Sequence, residues 1–488
     1  MKHFLPRLTL AFALFSAITV SAAEKPNLIV INIDDLGYGD IGPFGSKLNR
    51  TPNLDRMAAE GRKLTCFYAA PVCSPSRAAL MTGCYPKRVL PIPGVLFPAA
   101  SIGLNPAEHT VAELLKTAGY ATACIGKWHL GDQPEFLPTR RGFDYYLGLP
   151  YSNDMGTAED GSKSSLGDPI PVPKNPNVAA MAQQQDDDET GLKGNRQPPL
   201  PLLENEKVIA RVKQDEQMGI VERYTIAAVK FIKTHREQPF FLYLPHNAVH
   251  FPHYPGKAFQ KKSSNGNYGD WVEEVDWSVG QVLDTLRELK LDAKTFVLFT
   301  SDNGGTPRAV NLPLRGFKNS TWEGGMREPT IAWSPGKIPA DTSTDEVTGM
   351  MDVLPTLAKL AGAQVPSDHK IDGRDIWPLL ANEAGAKSPH EVFYYFHGLK
   401  LEAIRSGPWK LHLAKAELYN LSTDIGEATN VAADNTEIVE KLRTLAAATK
   451  DDLAPEGFGP GCRPLGRVQN PQPLIGRDGK VRAGFEAN

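Results

Sequence analysis

The stretch NLIVINIDDLGYGD, residues 27–40, carries the strongest indication of the fold. Its first half, residues 27–33, is a nearly continuous apolar run, which is typical of a strand buried on both faces of a parallel sheet. Its second half carries three acidic residues and two glycines, and it predicts a polar turn directly after the strand. Ligands of open α/β sheets bind beyond the carboxyl ends of the strands. Asp34 and Asp35 therefore stand where chemistry is expected.

The rest of the chain repeats this strand-then-helix rhythm. Amphipathic patterns predict helices near residues 53–60, 110–117, 220–235 and 271–289. Short apolar runs predict strands at ATACIG, PFFLYL and TFVLFT, which begin at residues 121, 239 and 295. This alternation predicts an α/β fold, with a mainly parallel sheet that is sandwiched by helices.

The chain divides into three parts on its sequence pattern. Residues 1–23 have a basic start, an apolar run of thirteen residues and then small residues, which is the order of a secretory signal peptide cleaved after Ala22 or Ala23. Residues 24–384 form the α/β domain, with an irregular insertion over 151–217. Residues 385–488 are expected to form a smaller α+β domain with an antiparallel sheet and a Gly/Pro-rich tail.

Composition and the leader restrict the location and partners. The 488 residues carry a net charge of −3, so bulk charge gives no reason to expect a nucleic-acid partner. No later apolar stretch is long enough to span a bilayer, so we expect no membrane association after signal cleavage. The protein is expected to be exported to a periplasmic, extracellular or lumenal space.

Polar side chains also follow the other predicted strands. They are Lys127 and His129 after the second strand, His246, Asn247 and His250 after the third, and Asp302 and Asn303 after the fourth. Adjacent acids repel each other unless a cation lies between them. Oxygen ligands from Asp34, Asp35, Asp302 and Asn303 favour a hard cation, Ca²⁺ or Mg²⁺. Each motif alone also fits a turn or a helix cap.

The densest motif is CSPSRAALMTG, residues 73–83. Pro75 suits the first turn of a helix, with Ser74 as the expected cap, so Cys73 is predicted at a helix N-terminus that favours anions. Arg77 follows one turn later on the same side. The C-x3-R spacing differs from the C-x5-R loop of thiol phosphatases, and a thiol is a poor partner for a hard cation.

CSPSRAALMTG resembles the sulfatase signature, in which the cysteine is converted after translation to formylglycine. Further segments resemble sulfatases in order and spacing, so the resemblance covers nearly the whole mature chain. They are NIDDLGYGD, TPNLDRMAAEG, GYATACIGKWHLG, LPYSNDMG, PFFLYLPHNAVHFPHYPG, FTSDNGG, KNSTWEGGMREP and ELYNLSTDIGEATN. The resemblance is closest to the arylsulfatase A-like group and implies the large mixed sheet of the alkaline phosphatase superfamily.

The resemblance also implies roles for individual residues. It implies that Asp34, Asp35, Asp302, Asn303 and residue 73 bind calcium, and that a formylglycine-generating or sulfatase-maturing enzyme converts Cys73. It assigns the formylglycine and sulfate contacts to Arg77, Lys127, His129, Ser152, His250 and Lys318. The hydrated aldehyde would attack sulfur, with His250 or Lys318 protonating the leaving alcohol and His129 assisting sulfate release. His250 is preferred over His246 because it occupies the H-x-P position.

Several alternatives stay open on sequence. The substrate is an aryl or carbohydrate sulfate, and residues expected near the pocket rim are Trp128, Trp322, Arg308 and Arg315. There are two competing functions. One is a phosphate or phosphonate ester hydrolase of the same superfamily, and the other is an inactive protein that binds sulfated glycans. The four cysteines other than Cys73 are either paired in up to two disulfides or reduced and buried.

Overall fold

The computed structural model describes residues 25–170 and 189–487. The predicted signal peptide lies outside these ranges. Across the described part of the chain, no helix is both long and apolar enough to cross a membrane. The strands are β1 Asn27–Ile33, β2 Arg62–Tyr68, β3 Ile102–Gly103, β4 Ala121–Ile125, β5 Tyr145–Gly148, β6 Pro201–Glu204, β7 Lys207–Arg211, β8 Phe240–Pro245, β9 Thr295–Ser301, β10 Arg327–Trp333, β11 Thr342–Thr344, β12 Thr348–Gly349, β13 Phe393–His397, β14 Lys400–Ser406, β15 Trp409–His412, β16 Glu417–Asn420 and β17 Gly466–Arg467.

The α-helices of the described ranges alternate with these strands. They are α1 Pro52–Ala59, α2 Cys73–Thr82, α3 Pro86–Val89, α4 Val111–Thr117, α5 Gln214–Met218, α6 Ile220–Thr234, α7 Gly266–Glu288, α8 Glu323–Met326, α9 Val353–Ala361, α10 Trp377–Leu380 and α11 Thr436–Ala447. The four helices predicted from periodicity correspond to α1, α4, α6 and α7.

The main sheet confirms the predicted α/β class. Its strand order is β11-β2-β10-β9-β1-β8-β4-β5-β6-β7, and β12 also pairs with β2. Strand β1 lies near the centre, parallel to both β8 and β9, and β4 is parallel to β8 and β5. Strand β10 runs antiparallel between β9 and β2, so the sheet is mixed but mainly parallel around its centre.

Strand β1 is wholly buried because both faces of the sheet are covered by helices. Its residues alternate between two cores, with Leu28 and Val30 in one and Ile29, Ile31 and Ile33 in the other. Side chains of a strand alternate between faces, so an unbroken apolar run supplies both layers at once. This double burial explains why the opening stretch determines the architecture.

The prediction of an irregular insertion over 151–217 is wrong for its second half. Residues 201–204 and 207–211 form β6 and β7, an antiparallel hairpin that extends the main sheet beyond β5. Residues 214–218 then form α5. The hairpin lies at the sheet edge and Pro201 is the first residue of its strand, a position that needs no backbone N–H donor. Its prolines therefore concealed it from pattern analysis.

The C-terminal antiparallel sheet is present as predicted, with the order β13-β14-β15-β16 and α11 packed against β14. The tail returns to the main body, where β17 pairs with β3. All five cysteines are described, and none forms a disulfide. Cys66, Cys84 and Cys124 are buried thiols, which fits the alternative of reduced, apolar residues.

Candidate active site

The predicted polar residues meet at one edge of the sheet. Strands β9, β1, β8 and β4 are consecutive neighbours, and all four run in the same direction. Their carboxyl ends therefore lie side by side, and each is followed by a polar turn. The sheet topology brings together residues that are up to about 270 positions apart in sequence, as in the contact of Asp35 with Asp302.

Backbone conformations with positive φ orient these side chains toward the site. Asp35 and His129 both have positive φ, at 62° and 65°, a region that non-glycine residues seldom occupy. Gly126 has φ of 138°, and a Cβ there would lie 1.9 Å from the Pro245 carbonyl oxygen. Only glycine allows the ends of β4 and β8 to approach so closely, and Lys127 follows at once.

Helix α2 brings Cys73 to the same edge. The residue before it, Val72, is extended and makes no side-chain cap, so the prediction of Ser74 as the cap is wrong. The Ser74 hydroxyl instead accepts the Leu96 backbone N–H at 3.2 Å. The whole helix is buried, including Arg77, and it packs against α3, α4 and α9. A buried guanidinium requires charged partners.

Those partners are the strand-end carboxylates. Arg77 donates from Nε to Asp302 Oδ2 at 2.9 Å and lies 3.5 Å from Asp34 Oδ2. Lys127 Nζ forms a short ion pair with Asp34, and Lys318 Nζ lies 2.7 Å from Asp35 Oδ1. Three carboxylates and three basic groups thus balance one another in a nearly dry site.

Cys73 lies within this charge network. Its Sγ is 3.3 Å from Asp34 Oδ1 and 3.4 Å from Lys318 Nζ. Burial and the carboxylates of Asp302 and Asp34 raise the pKa of the Cys73 thiol well above its usual value. An unmodified thiol at this position stays protonated at neutral pH, and it is the thiolate that reacts as a nucleophile.

The carboxylate of Asp34 is charged in spite of its burial. Burial by itself raises the pKa of this group, but Lys127, His250 and Arg77 together lower it below the usual range. The pKa of Lys318 is raised, since the attraction of Asp35 outweighs the cost of burying the ammonium. The pKa of Asp302 is raised by burial and by the neighbouring Asp34.

Two histidines border the cluster. His250 Nε2 lies 3.6 Å from Asp35 Oδ2, and the Ser152 hydroxyl lies 3.3 Å from His250 Nδ1 and 3.1 Å from Lys127 Nζ.

His129 Nε2 lies 2.8 Å from the Leu96 carbonyl oxygen, so Nε2 carries the proton and Nδ1 keeps its lone pair. Burial lowers the pKa of His129 well below 6.5, so the ring is neutral.

Two further histidines, His246 and His253, make their hydrogen bonds outside the cluster. His246 Nε2 lies 3.1 Å from the Ser278 hydroxyl in the interior, and burial lowers its pKa to about 3. His253 Nδ1 lies 3.5 Å from the Ser165 hydroxyl.

The site has the donors of a hard-cation centre. Ligand atoms of Asp34, Asp35, Cys73 and His250 all lie within 4.8 Å of one another. The buried oxygens Asp35 Oδ2 and Asn303 Oδ1 accept no hydrogen bond, whereas Asn303 Nδ2 donates to Asp35 Oδ1 at 2.7 Å. Unsatisfied buried oxygens are costly unless another group takes them up. The donor chemistry therefore fits Ca²⁺ or Mg²⁺.

The structure also brings forward residues that sequence analysis missed. Glu328 on β10 is fully buried with no hydrogen bond to either carboxylate oxygen, and its pKa is raised by burial and by Asp302 and Asp35. It lies in the segment KNSTWEGGMREP, but nothing in that segment marks its carboxylate as buried beside the strand-end acids. Trp128, expected at the rim, is instead a core residue that donates to the Phe136 carbonyl at 2.8 Å.

Comparison with known proteins identifies the family. The sulfatase family model matches residues 26–363, and the model for the C-terminal part of N-sulphoglucosamine sulphohydrolase matches residues 317–451. The chain is 39% identical to arylsulfatase A of Bos taurus over 422 residues, covering 83% of this chain and 77% of the relative. It is 38% identical to N-acetylgalactosamine-6-sulfatase of Sus scrofa over 407 residues, covering 80% and 72%.

Solved structures agree with this assignment. The PsFucS1 sulfatase from Pseudoalteromonas sp. superposes with a TM-score of 0.76 at 28% identity, covering 91% of this chain and 92% of that one. The family model covers more than half of the chain, and the strand-end residues quoted above fall inside its range. The chain therefore belongs to the sulfatase family, and it is a sulfuric ester hydrolase.

Proposed function

We propose that this protein is an exported sulfatase that uses a formylglycine made from Cys73 and a bound calcium ion to hydrolyse a carbohydrate or aryl sulfate. The observation that carries the proposal is the location of Cys73 Sγ between Asp34 and Lys318 at the buried N-terminus of α2. That position lies at the junction of the carboxylate and the basic groups of the site. Residue 73 therefore has cation ligands on one side and anion-binding groups on the other.

The calcium ligands are Asp34, Asp35, Asp302, Asn303 and an oxygen of residue 73. Support comes from the unsatisfied buried oxygens Asp35 Oδ2 and Asn303 Oδ1 and from the close approach of the ligand atoms of Asp34, Asp35 and residue 73. Mg²⁺ is the alternative ion for the same oxygen donors. The ion supplies a positive charge that lowers the pKa of a bound hydroxyl.

Conversion of Cys73 resolves a conflict in the unmodified site. A sulfur donor is a poor partner for a hard cation, and the raised pKa of Cys73 keeps the thiol protonated. An oxygen-bearing residue at this position completes an all-oxygen donor set and provides the nucleophile. Of the five cysteines, Cys73 is therefore the one that is not a thiol in the mature enzyme. A formylglycine-generating or sulfatase-maturing enzyme is the partner that its conversion requires.

The basic residues hold the sulfate group. Arg77 keeps residue 73 and the metal ligands in place through its buried ion pairs, and Lys127 and Lys318 present ammonium groups toward the same space. Ser152 connects Lys127 to His250, which fixes the imidazole at the substrate side. Preorganised positive groups of this kind stabilise the charge that develops on the sulfuryl oxygens.

Two proton transfers complete the reaction. His250 or Lys318 donates a proton to the leaving alcohol oxygen, since both lie at the substrate side of Asp35. His129 acts as a base in sulfate release. Its neutral ring, the proton held on Nε2 by Leu96, and the unpartnered buried Nδ1 support that role.

A carbohydrate is the substrate class that the surroundings favour. An open groove of about 600 Å³ runs between residues 319–322, which follow Lys318, and the C-terminal sheet. Its lining includes His397, Lys400 and Glu402, which offer hydrogen-bonding groups, and Trp322, whose ring packs against Arg315 and His412 at 3.7 and 4.0 Å from its centroid. Its volume lies within the usual range for small-ligand pockets.

Matched sulfate and phosphate esters test the proposal. Purified enzyme that is coexpressed with a maturing enzyme is expected to hydrolyse an aryl sulfate and sulfated saccharides faster than the corresponding phosphates. Faster turnover of the phosphate or phosphonate ester would overturn the sulfatase assignment. Binding of sulfated saccharides without turnover, by protein whose Cys73 is converted, would instead indicate an inactive glycan-binding protein.

A further inference from the structure

The segment of residues 317–323 carries Lys318 into the site and then enters α8. Two backbone hydrogen bonds attach it to the catalytic body, from Lys318 N–H to the Gly305 carbonyl at 3.0 Å and from Asn319 N–H to the Pro71 carbonyl at 2.8 Å. Asn319 has a φ of 69°, so the chain turns sharply just after Lys318. Residues 317–320 are otherwise exposed or half-buried. Local contacts alone leave this turn weakly held.

The C-terminal sheet supplies further anchors through a buried ionic triad of Glu323, Lys410 and Glu427. The other carboxylate oxygen of Glu323 is bound by the main sheet, where it accepts from the Tyr68 hydroxyl at 2.6 Å and lies 3.3 Å from Arg327 Nη1. Lys410 Nζ on β15 lies 2.9 Å from Glu323 Oε1 and 2.9 Å from Glu427 Oε1, and it donates to the Thr321 carbonyl at 2.8 Å. Glu427 Oε2 accepts the Glu323 N–H at 2.8 Å. The side chains of all three charged residues are fully buried.

Two further hydrogen bonds link the 317–323 segment to the C-terminal sheet near the surface. The Thr321 hydroxyl donates to Glu402 Oε2 on β14 at 2.8 Å, and His397 Nε2 on β13 lies 3.0 Å from Asn319 Oδ1. Three strands of the C-terminal sheet therefore contact one short segment whose role is to present Lys318. The contacts fall on residues 319, 321 and 323, immediately after the lysine.

A buried ionic group is a poor source of stability but a good determinant of conformation. Desolvation of the charges offsets most of their attraction, whereas loss of one partner leaves an uncompensated charge. The triad therefore admits one arrangement of residues 321–323 against the sheet. Because Lys318 is only three residues before Thr321, that arrangement also limits where its ammonium can lie.

We propose that Lys410 and Glu427 are positioning residues, which act through the 317–323 segment to hold Lys318 between residue 73 and Asp35. The C-terminal sheet is then part of the catalytic apparatus although it supplies no group to this cluster. The proposal rests on the proposed function only for the role of Lys318 in turnover. The effect of Lys410 and Glu427 on the 317–323 segment is measured separately, without an activity assay.

Hydrogen–deuterium exchange of the intact protein measures the positioning. Lys410→Met is expected to speed exchange in peptides that cover residues 317–325. The matched control is Lys87→Met, because Lys87 is also a buried lysine that joins the body to C-terminal segments, donating to the Leu399 and Ala454 carbonyls at 2.8 and 2.7 Å. It does not contact the 317–323 segment, so exchange there is expected to stay at the wild-type rate. Equal exchange in wild type and Lys410→Met would overturn the proposal.

A double-mutant cycle measures the consequence for turnover. Lys410→Met is expected to lower kcat/KM by about 10²-fold, the scale associated with a misplacement of about 1 Å. In a Lys318→Met background the same change is expected to have almost no further effect, since its target is already absent. Additive losses in the cycle would indicate a general structural role and contradict the proposal. Unchanged kcat/KM in Lys318→Met alone would refute the proposed role of Lys318, leaving the exchange result to judge the positioning.

Milder variants cover the case in which Lys410→Met does not fold. Thr321→Val removes the bond to Glu402 without leaving a buried charge, and Glu427→Gln keeps the shape of the side chain. Both are expected to raise exchange in residues 317–325 and to show the same non-additivity with Lys318→Met. Wild-type exchange in both variants would overturn the proposal without reference to activity.

Discussion

Asp302→Asn is the substitution that separates the metal site from the packing around it. The Asp302 carboxylate is fully buried and accepts from Arg77 Nε at 2.9 Å and Nη2 at 2.8 Å. Its other oxygen lies 3.4 Å from the Asp35 backbone nitrogen. Asparagine keeps the shape and removes the charge, so a buried guanidinium loses its main partner. In the proposed site it also removes one anionic ligand of the calcium ion.

Two free-energy changes are expected, of separate origin. Removing one partner of a buried ion pair costs about 3–5 kcal/mol, and the lower end applies here because Arg77 keeps Asp34 at 3.5 Å. A ligand at 100 times its dissociation constant stabilises the native state by about 2.7 kcal/mol. Wild-type protein is therefore expected to gain that amount when calcium is added to metal-free enzyme, and Asp302→Asn to gain much less.

Thermal denaturation in chelator and in calcium measures both changes. The matched control is Asp276→Asn, which alters a buried carboxylate that accepts only neutral donors, the Leu54 N–H at 2.8 Å and the Asn53 amide groups. This control is expected to be destabilised and to keep the full calcium-dependent rise in Tm. If Asp302→Asn keeps that rise as well, Asp302 is not a ligand. If it matches wild type in chelator, the argument from the Arg77 ion pair is wrong.

Three further predictions follow from individual residues. Burial raises the pKa of Glu274 to about 8, above its value in the unfolded chain. Its contribution to stability is therefore full below about pH 4 and is lost as the pH rises through 8. Glu274→Gln is expected to raise Tm relative to wild type more at high pH than at low pH, and a Tm difference that does not depend on pH would contradict this. His129→Ala is expected to give a burst of alcohol product, after which both products form at the slow rate of sulfate release; alcohol and sulfate formation in step from the first turnover, without a burst, would remove His129 from the release step. N-terminal sequencing of exported protein is expected to begin at Ala23 or Glu24, whereas retention of Met1 would refute the signal peptide.

The sheet and most of the site were predictable from sequence because their signals are local. The apolar run before Asp34 and the run before Asp302 each define a strand and place the acids at its end. Parallel topology then requires those ends to meet, so the cluster of charges follows without knowledge of any distance. Helix α2 was predictable in its position because Pro75 marks its first turn and Gly83 follows its last residue.

The remainder depended on contacts between distant parts of the chain. The actual role of Ser74, a bond to the Leu96 backbone, involves a loop with no pattern of its own. The hairpin of β6 and β7 was obscured by prolines, of which Pro201 is tolerated as the first residue of its strand. Lys410 and Glu427 resemble ordinary surface charges in sequence, and only the fold shows that both are buried against Glu323.

The chemical state of residue 73 in active enzyme shows whether Cys73 has been converted to formylglycine, on which the proposed function depends. Trypsin cleavage after Lys63 and Arg77 releases residues 64–77, a peptide with two cysteine positions, Cys66 and Cys73. Alkylation of the denatured, catalytically active enzyme followed by mass spectrometry counts the thiols in that peptide. We expect one alkylated residue, Cys66, and an aldehyde at position 73. Two alkylated cysteines in fully active enzyme would contradict this.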